Sequence, residues 1–239
     1  SNGFGADFSY AQRINARNHT LYQGEFMYVK HPKEIRITNN IYSNKTFVFG
    51  KKNSFFELKG YWGRQSEIYR KNDAGGLSIR YFYAAGPIIG FVKPIYYEVL
   101  YTAGPYDYYS KIEKFNTSIH QSNIYGRASF FEGFDEIKVV PGLSAKVGFT
   151  FEYSRADEVV NGLEIGMGFD IFPKEIPIMA TENNDFLFLN LFAGYRFGKV
   201  IDISDAAQSK GLIERWKENR QSRRIMRKQR KADRETEDF

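Results

Sequence analysis

Three segments in the second half of the chain alternate between apolar and polar residues, and this alternation limits the fold more than any other feature. They are residues 143–154, 163–171 and 186–197. Successive side chains of a strand point to opposite faces, so each segment predicts a strand with one apolar and one polar face. Soluble strands usually end after about 5–6 residues. These segments match the length that crosses a bilayer at a tilt.

Five further segments are expected strands. Residues 4–11, 22–30, 55–62 and 77–85 follow the same pattern less clearly, and residues 88–101 form a long apolar strand, interrupted by Pro94, whose faces the pattern does not assign. Together with the first three they make an even number of strands, which closed antiparallel bacterial barrels have. Closure also removes unpaired sheet edges, which hydrocarbon does not tolerate. The expected fold class is therefore all-β, an eight-stranded antiparallel transmembrane β-barrel, followed by a basic and partly helical C-terminal tail.

Composition excludes several other classes of protein. The 239 residues include 22 Phe, 17 Tyr and 2 Trp, too much apolar surface for a disordered chain. The absence of cysteine excludes disulfides, thiolate zinc sites and a cysteine nucleophile. No apolar run approaches the roughly 18 residues of a transmembrane helix. The chain starts at Ser1, and we interpret it as a mature sequence without its secretory signal.

The polar faces supply the residues that would fill the barrel. An eight-stranded barrel is only wide enough to be filled by side chains, so we expect a plugged lumen with nearly balanced charge. A proton or ion relay is the alternative, and it would need groups that titrate near neutral pH. The predicted structural lumen residues are Asp7, Arg13, Glu25, Glu57, Lys59, Arg80, Lys146, Glu152, Glu164, Asp170 and Arg196.

The connections predict a topology. Residues 16–20, 64–74, 102–141 and 172–185 are expected at the outer end of the barrel. A tight turn at Gly86-Pro87 and residues 155–161 are expected at the inner end. Residues 31–53 are long for an inner connection and contain the strand-like residues 46–48. They form either a structured periplasmic lobe or an additional strand.

Net charge is concentrated in the last residues. Residues 210–239 hold 11 basic and 6 acidic residues, a net of +5, whereas the whole chain carries +6. We therefore place a boundary near Val200, with the barrel at 1–200 and a periplasmic basic arm at 201–239. The arm is either a solvated, partly helical segment or a docking surface for an acidic partner or a phosphate surface. Its predicted partner-binding residues are Arg215, Trp216, Lys217, Arg220, Arg223, Arg224, Arg227 and Lys228.

Alternation alone also fits a soluble β-sandwich or a lipocalin-like barrel, in which the apolar faces point inward. Strand length, the tyrosines and tryptophans near strand ends and the glycines on the polar faces favour lipid outside. Trp62, Tyr101 and Tyr153 illustrate the aromatic positions.

Residues that carry chemistry are nearly absent. His19, His31 and His120 lie far apart on expected loops, and His120 with Ser118 or Ser122 is interpreted as a pair in sequence only. No HExxH, GxSxG, P-loop or GxGxxG motif occurs. We expect no catalytic, cofactor-binding or metal-binding residues, no cofactor, no enzymatic activity and no nucleic-acid partner. The Tyr-rich stretches at 96–97 and 106–109 could form a binding surface.

Several stretches resemble small outer-membrane barrels of Bacteroidota. They are residues 30–34 (KHPKE), Gly75-Gly76 before Arg80-Tyr81, residues 93–98 (KPIYYE), 126–131 (GRASFF) and 172–180 (FPKEIPIMA). Within that group the chain resembles the PorD-like accessory barrels of the type IX secretion translocon. The resemblance implies a non-enzymatic subunit in the outer membrane, in contact with lipid and with outer-membrane and periplasmic secretion proteins. It supplies no functional residues. The alternatives are a stand-alone porin or transport barrel and an outer-membrane enzyme.

Overall fold

A computed structural model describes residues 2–39, 45–70, 76–104, 107–154, 159–180, 184–200 and Arg220. Within these residues the fold is all-β, with one 3-10 helix at Gln121–Asn123. Seven long antiparallel strands form the main sheet in the order β1-β2-β5-β6-β10-β11-β12. They are β1 (Asn2–Arg13), β2 (Asn18–Lys30), β5 (Asn53–Tyr69), β6 (Ser78–Pro94), β10 (Lys138–Glu152), β11 (Val159–Ile171) and β12 (Leu187–Lys199).

The main sheet curls strongly into a half-barrel. The curl is visible in contacts between strands that are three positions apart in the sheet. Lys59 on β5 reaches Asp170 on β11 at 2.7 Å, and Lys146 on β10 reaches Glu25 on β2 at 3.1 Å. In a flat sheet those strands would be about 14 Å apart. Within the described residues β1 pairs with β2 alone and β12 with β11 alone, so both edges are open there.

The two faces of the sheet differ as the alternation predicts. Side chains on the concave face are mostly polar and buried, whereas those on the convex face are apolar and exposed. One row across four strands shows the pattern: Tyr81, Phe149, Ile165 and Ala193 are neighbours in register and all point outward. The expected direction of both faces is confirmed.

The predicted turn at Gly86-Pro87 is wrong. Both residues lie inside the continuous strand β6, where Gly86 pairs with Ser144 and Pro87 with Leu143. Pro usually ends a central strand because it has no N–H to donate. Here the chain instead leaves the sheet at Pro94, and Tyr96–Gly104 forms β7 in a different sheet. The predicted strands at 77–85 and 88–101 therefore correspond to β6 and the first part of β7. The described main sheet has seven strands.

The predicted loop at residues 102–141 is largely structured. It contains β8 (Asp107–Lys114), which pairs with β7, the 3-10 helix, and β9 (Ile124–Arg127), which also pairs with β7. Residues 31–53 contribute the small hairpin of β3 (Arg36–Thr38) and β4 (Thr46–Val48). Of the two alternatives for residues 31–53, the structure favours a lobe. Strands β3, β4, β7, β8 and β9 together are called the lobe below.

The lobe has its own small core, in which Tyr97 is the largest buried side chain. It also contains Phe47, Ile95, Val99, Ile119 and Ile124. The Tyr97 hydroxyl donates to the carbonyl oxygens of Val48 and Lys51, at 2.7 and 2.8 Å. Burial raises the pKa of this hydroxyl far above its usual value. Tyr97 thus holds the hairpin to β7 and is a structural residue, while Tyr108 and Tyr109 are exposed.

A second core closes one end of the half-barrel. Residues 172–180, called the crosspiece, run across this end and bury Phe172, Ile176 and Ile178. The crosspiece is fixed to the start of β5 by hydrogen bonds from the Lys52 and Asn53 amides to the Ile178 carbonyl oxygen. The other members of this core are Val29, Phe55, Ile88, Val92, Met179 and Phe188.

The connections divide between the two ends differently from the prediction. The lobe, the crosspiece and the described parts of the connections that follow β2, β6 and β11 lie at one end, called the lobe end. Among the described residues, 14–17, Arg70, 76–77 and 153–154 and the end of β12 lie at the opposite end, called the turn end. Residues 16–20 and 64–74 were therefore wrongly placed beside 102–141 and 172–185, and β5 itself continues to Tyr69. The false turn at Gly86-Pro87 reversed the direction of every strand after it.

Candidate functional site: the charged interior

Lys59 is the centre of an ion-pair network on the concave face. Its ammonium nitrogen lies 2.7 Å from Asp170, 3.0 Å from Glu57 and 3.8 Å from Glu25. Glu57 and Lys59 are two residues apart on β5 and therefore share a face. Glu25 is opposite Lys59 in the register of β2 and β5. Only Asp170 comes from a distant strand, so the curl of the sheet completes the site.

Asp170 is the most heavily hydrogen-bonded acid of the interior. Its carboxylate accepts from Lys59, from Asn190 Nδ2 at 2.8 Å and from the hydroxyl of Ser144. The Ser144 oxygen also lies 2.7 Å from the Tyr61 hydroxyl. A fully buried carboxylate loses its hydration, and only charge-assisted hydrogen bonds of this kind offset that loss.

Lys146 extends the network across the concave face. Its ammonium contacts Glu25 at 3.1 Å, and the same nitrogen lies 4.7 Å from the centre of the Tyr61 ring. The rings of Phe192 and Phe82 are also near, at 5.5 and 5.8 Å. Cation–π attraction is strongest where the cation is desolvated. The Lys146 side chain therefore lies in the middle of the interior, and these three aromatic rings surround its ammonium group.

Two arginine–carboxylate pairs lie toward the turn end of the same face. Arg80 contacts Glu152 at 2.9 Å, and Arg196 forms an ion pair with Glu164. Glycines leave room for the rings between these groups. A Cβ at Gly148 would lie 2.8 Å from the Phe82 ring, and one at Gly166 would lie 2.6 Å from Phe192. Side chains thus occupy the space inside the curl.

The structure places nine of the eleven predicted lumen residues inside the curl, either buried or half-buried. Asp7 and Arg13 are exposed, because both lie on the edge strand β1. Asp7 accepts from Gln23 Nε2 at 2.6 Å, and Arg13 donates to the Asn15 carbonyl oxygen at 3.3 Å. The nine inner residues are Glu25, Glu57, Lys59, Arg80, Lys146, Glu152, Glu164, Asp170 and Arg196.

Sequence reasoning missed the neutral members of the network. Tyr61, Ser144 and Asn190 link the charged groups to one another or to the sheet. Each of them is in phase with the polar face of its strand, so the alternation contained their signal. The predicted lumen residues were all charged, so these three neutral side chains were not among them.

Most of the predicted partner-binding residues lie outside the described residues. These are Arg215, Trp216, Lys217, Arg223, Arg224, Arg227 and Lys228. Arg220 is described, and its side chain is exposed.

The histidines differ in part from expectation. His19 lies on β2 and not on a loop, and His31 is half-buried, with Nδ1 accepting from the Lys33 amide at 3.1 Å. His120 and Ser122 are a pair in space as well as in sequence, since Nδ1 and the hydroxyl are 2.8 Å apart. The same Nδ1 accepts the Ser122 amide and caps the 3-10 helix. The contact between His120 and Ser122 is therefore part of the cap of this short helix.

Among the described residues, no group of three or more His, Cys, Asp or Glu is arranged to hold a metal ion. The same part of the chain contains no helix with the length and hydropathy that crossing a membrane requires. Comparisons with protein-family models, with characterised proteins and with solved structures found no match.

Proposed function

We propose that this chain is a non-enzymatic β-barrel-type protein of the bacterial outer membrane, with its convex face against lipid. One observation carries the proposal: large apolar side chains are exposed all along the convex face while the charges are paired inside. Examples are Phe8, Leu191 and Phe197, each between 77% and 79% exposed. A water-soluble sandwich or lipocalin-like barrel has the reverse arrangement.

The size of the exposed apolar surface supports lipid as the surrounding medium. Soluble monomers rarely expose a continuous apolar patch above a few hundred Å². Here the patch continues around every strand of the main sheet, from Phe4 on β1 to Phe197 on β12. Burying one such side chain is worth about 1.5–3 kcal/mol, so hydrocarbon contact stabilises this face at many positions together. The strands, of 12 to 17 residues, are long enough to cross the hydrocarbon at a tilt.

The filled interior supports a structural role over conduction. The Lys59 network, the rings around Lys146 and the crosspiece occupy the space that a pore would need. The purified full chain in planar bilayers is therefore expected to remain silent. Stable single-channel openings would replace this role with that of a porin.

The connections support an orientation. Outer-membrane barrels have short periplasmic turns and longer extracellular connections. The turn end would then face the periplasm and the lobe end the outside. Because β12 finishes at the turn end, the arm at 201–239 would enter the periplasm. The lobe formed partly by residues 31–53 would be extracellular and not periplasmic.

We further propose that the protein is a scaffold subunit of an envelope protein-secretion complex, of the type IX class that the chain resembles. The charge of the arm supports a periplasmic partner with an acidic surface. Outer-membrane secretion proteins would bind the extracellular loops, and periplasmic secretion proteins would bind the arm.

The membrane location and the partner role require separate tests. For the first, cells expressing the full chain are fractionated and membranes are washed at alkaline pH. Retention in the outer-membrane pellet is expected, and monodisperse protein in detergent-free buffer would contradict the membrane location.

For the partner role, chains lacking 205–239 are compared with the full chain in affinity purification and mass spectrometry. Equal recovery of the same partners would remove the docking role of the arm.

A further inference from the structure

A cleft of about 750 Å³ lies at the lobe end, apart from the charged interior. It is bounded by the first residues of β10, by the end of β8 and by the crosspiece. Pockets for small ligands have roughly this volume, are mostly apolar and contain a few polar groups that orient the ligand. The cleft has both properties.

The walls of the cleft are rigid. Four of the seven prolines in the chain line it: Pro94, Pro141, Pro173 and Pro177. Proline fixes its own backbone angle, and a preformed wall loses little entropy when a ligand binds. Asn53 Nδ2 also donates to the Pro177 carbonyl oxygen at 2.6 Å, which holds the crosspiece against β5.

The inside of the cleft is apolar. Its lining includes Phe115, Val139 and Val140 on one side and Ile176 on the other. Val139 is 59% exposed, so its side chain offers open apolar surface to a ligand. An alkyl chain is the group that matches this apolar part of the lining.

The rim of the cleft is basic. Four lysines line it against two glutamates, Glu136 and Glu175. Glu136 is already occupied by Lys114 and by the Tyr96 hydroxyl, which donates to it at 2.6 Å. The other three lysines, Lys52, Lys138 and Lys174, are exposed and form no ion pair within 4.0 Å with a described residue. The rim therefore has cations available for an anionic group.

We propose that this cleft binds a single acyl chain that carries an anionic head group, a carboxylate or a phosphate. The chain lies between Val139 and the exposed prolines of the crosspiece, Pro173 and Pro177, and the head group contacts Lys52, Lys138 and Lys174. The apolar lining and the basic rim recognise the two parts of one molecule, so neither part alone binds equally well. This assignment is independent of the secretion role.

The test uses the full chain held in an amphipathic polymer and isothermal titration calorimetry. Octanoate and octyl phosphate are the probes, because each joins a chain to an anion, and the tighter of the two identifies the head group. Octanol tests the chain alone, and inorganic phosphate tests the anion alone. Both single-part probes are expected to bind at least about tenfold more weakly, about 1.4 kcal/mol.

Two pairs of variants distinguish the cleft from other surfaces. The double variant Lys52→Gln with Lys174→Gln is expected to lose about tenfold in affinity. The control double variant, Lys33→Gln with Lys111→Gln, changes two exposed lysines outside the lining and is expected to keep the affinity. Val139→Trp fills the cleft, and Leu143→Trp adds the same ring to an exposed position further along β10.

The proposal is overturned if octanol or inorganic phosphate matches the two probes. It is also overturned if Val139→Trp binds as tightly as Leu143→Trp while circular dichroism shows both to be folded. Loss of affinity in both tryptophan variants alike would assign the binding to the general apolar surface and would equally reject the cleft.

Discussion

At the scale of single residues, Asp170 shows how the interior holds charge without water. Its carboxylate is fully buried and joins β5, β10 and β12 through Lys59, Ser144 and Asn190. Each of these strands contributes one donor, and the three donors meet at Asp170 because the sheet is curled. Removing it would leave Lys59 with Glu57 and Glu25 only.

We expect Asp170→Ala to lower the free energy of unfolding by about 3–5 kcal/mol, because a buried ion pair that loses one partner leaves an uncompensated charge. The measurement is urea unfolding of the full chain in lipid vesicles. Asp135→Ala removes an exposed carboxylate between β9 and β10 and is expected to stay within about 0.5 kcal/mol of the unchanged chain. Equal effects of the two substitutions would contradict the role of the network.

Glu136 gives the lobe a dependence on pH. Hydrogen bonds from Lys114 and Tyr96 hold the pKa of Glu136 below its ordinary value near 4.5. A lowered pKa in the folded state adds stability above the ordinary value, and this stability is lost as the pH falls through the lowered one. Lys138 acts in the same direction.

We therefore expect amide exchange at the end of β8 to accelerate, relative to the intrinsic rate, when the pH falls below about 4.5. The measurement is hydrogen–deuterium exchange read by mass spectrometry. Glu136→Gln should exchange faster at neutral pH and lose the acid response. A variant that kept the full response would assign it to another group.

At the scale of elements, the crosspiece decides how the lobe end is closed. Phe172 packs edge-on against Phe55 and Phe188, with ring centres 5.5 and 5.9 Å away. A segment without regular secondary structure is thereby packed into the core of the half-barrel. Its hydrogen bonds to β5 and its four buried apolar side chains together close this end of the half-barrel.

We expect Phe172→Ala to lower the free energy of unfolding by about 3–5 kcal/mol through loss of buried contacts and the cavity that remains. The same vesicle assay measures it. Phe197→Ala is the matched control, because Phe197 is 79% exposed on the convex face and leaves no cavity. If the control were as costly as Phe172→Ala, the crosspiece would not be the main closure of this end.

At the scale of the whole molecule, the proposed lipid contact predicts a depth-dependent cost of charge on the convex face. Ile165 lies at the middle of β11 and Val159 at its first residue, and both side chains are exposed on the same face. Ile165→Arg is expected to cost about 2–4 kcal/mol in vesicles, and Val159→Arg only about 0–1 kcal/mol. Equal costs at both depths would argue against a bilayer around the sheet.

The sequence alone determined the local structure and its sidedness. A period of two placed most strands of the main sheet but did not assign the faces of residues 88–101. This period depends only on the alternation of side chains along an extended backbone. The same period put Glu57, Lys59 and Asp170 on the polar face. It could not show which of these residues meet, since Lys59 and Asp170 are 111 positions apart.

Only the tertiary structure decided the number of strands, their direction and the partners across the interior. Gly86-Pro87 has the local chemistry of a turn, yet its pairing with Ser144 and Leu143 of β10 keeps it in β6, and the flanking residues Ala85 and Ile88 pair with β5. That single difference exchanges the two ends for every later strand. Likewise the crosspiece and the lobe have no period, and they are ordered by packing against Phe55 and around Tyr97. Long-range contacts, which no local pattern contains, supply the energy that overrides turn propensity.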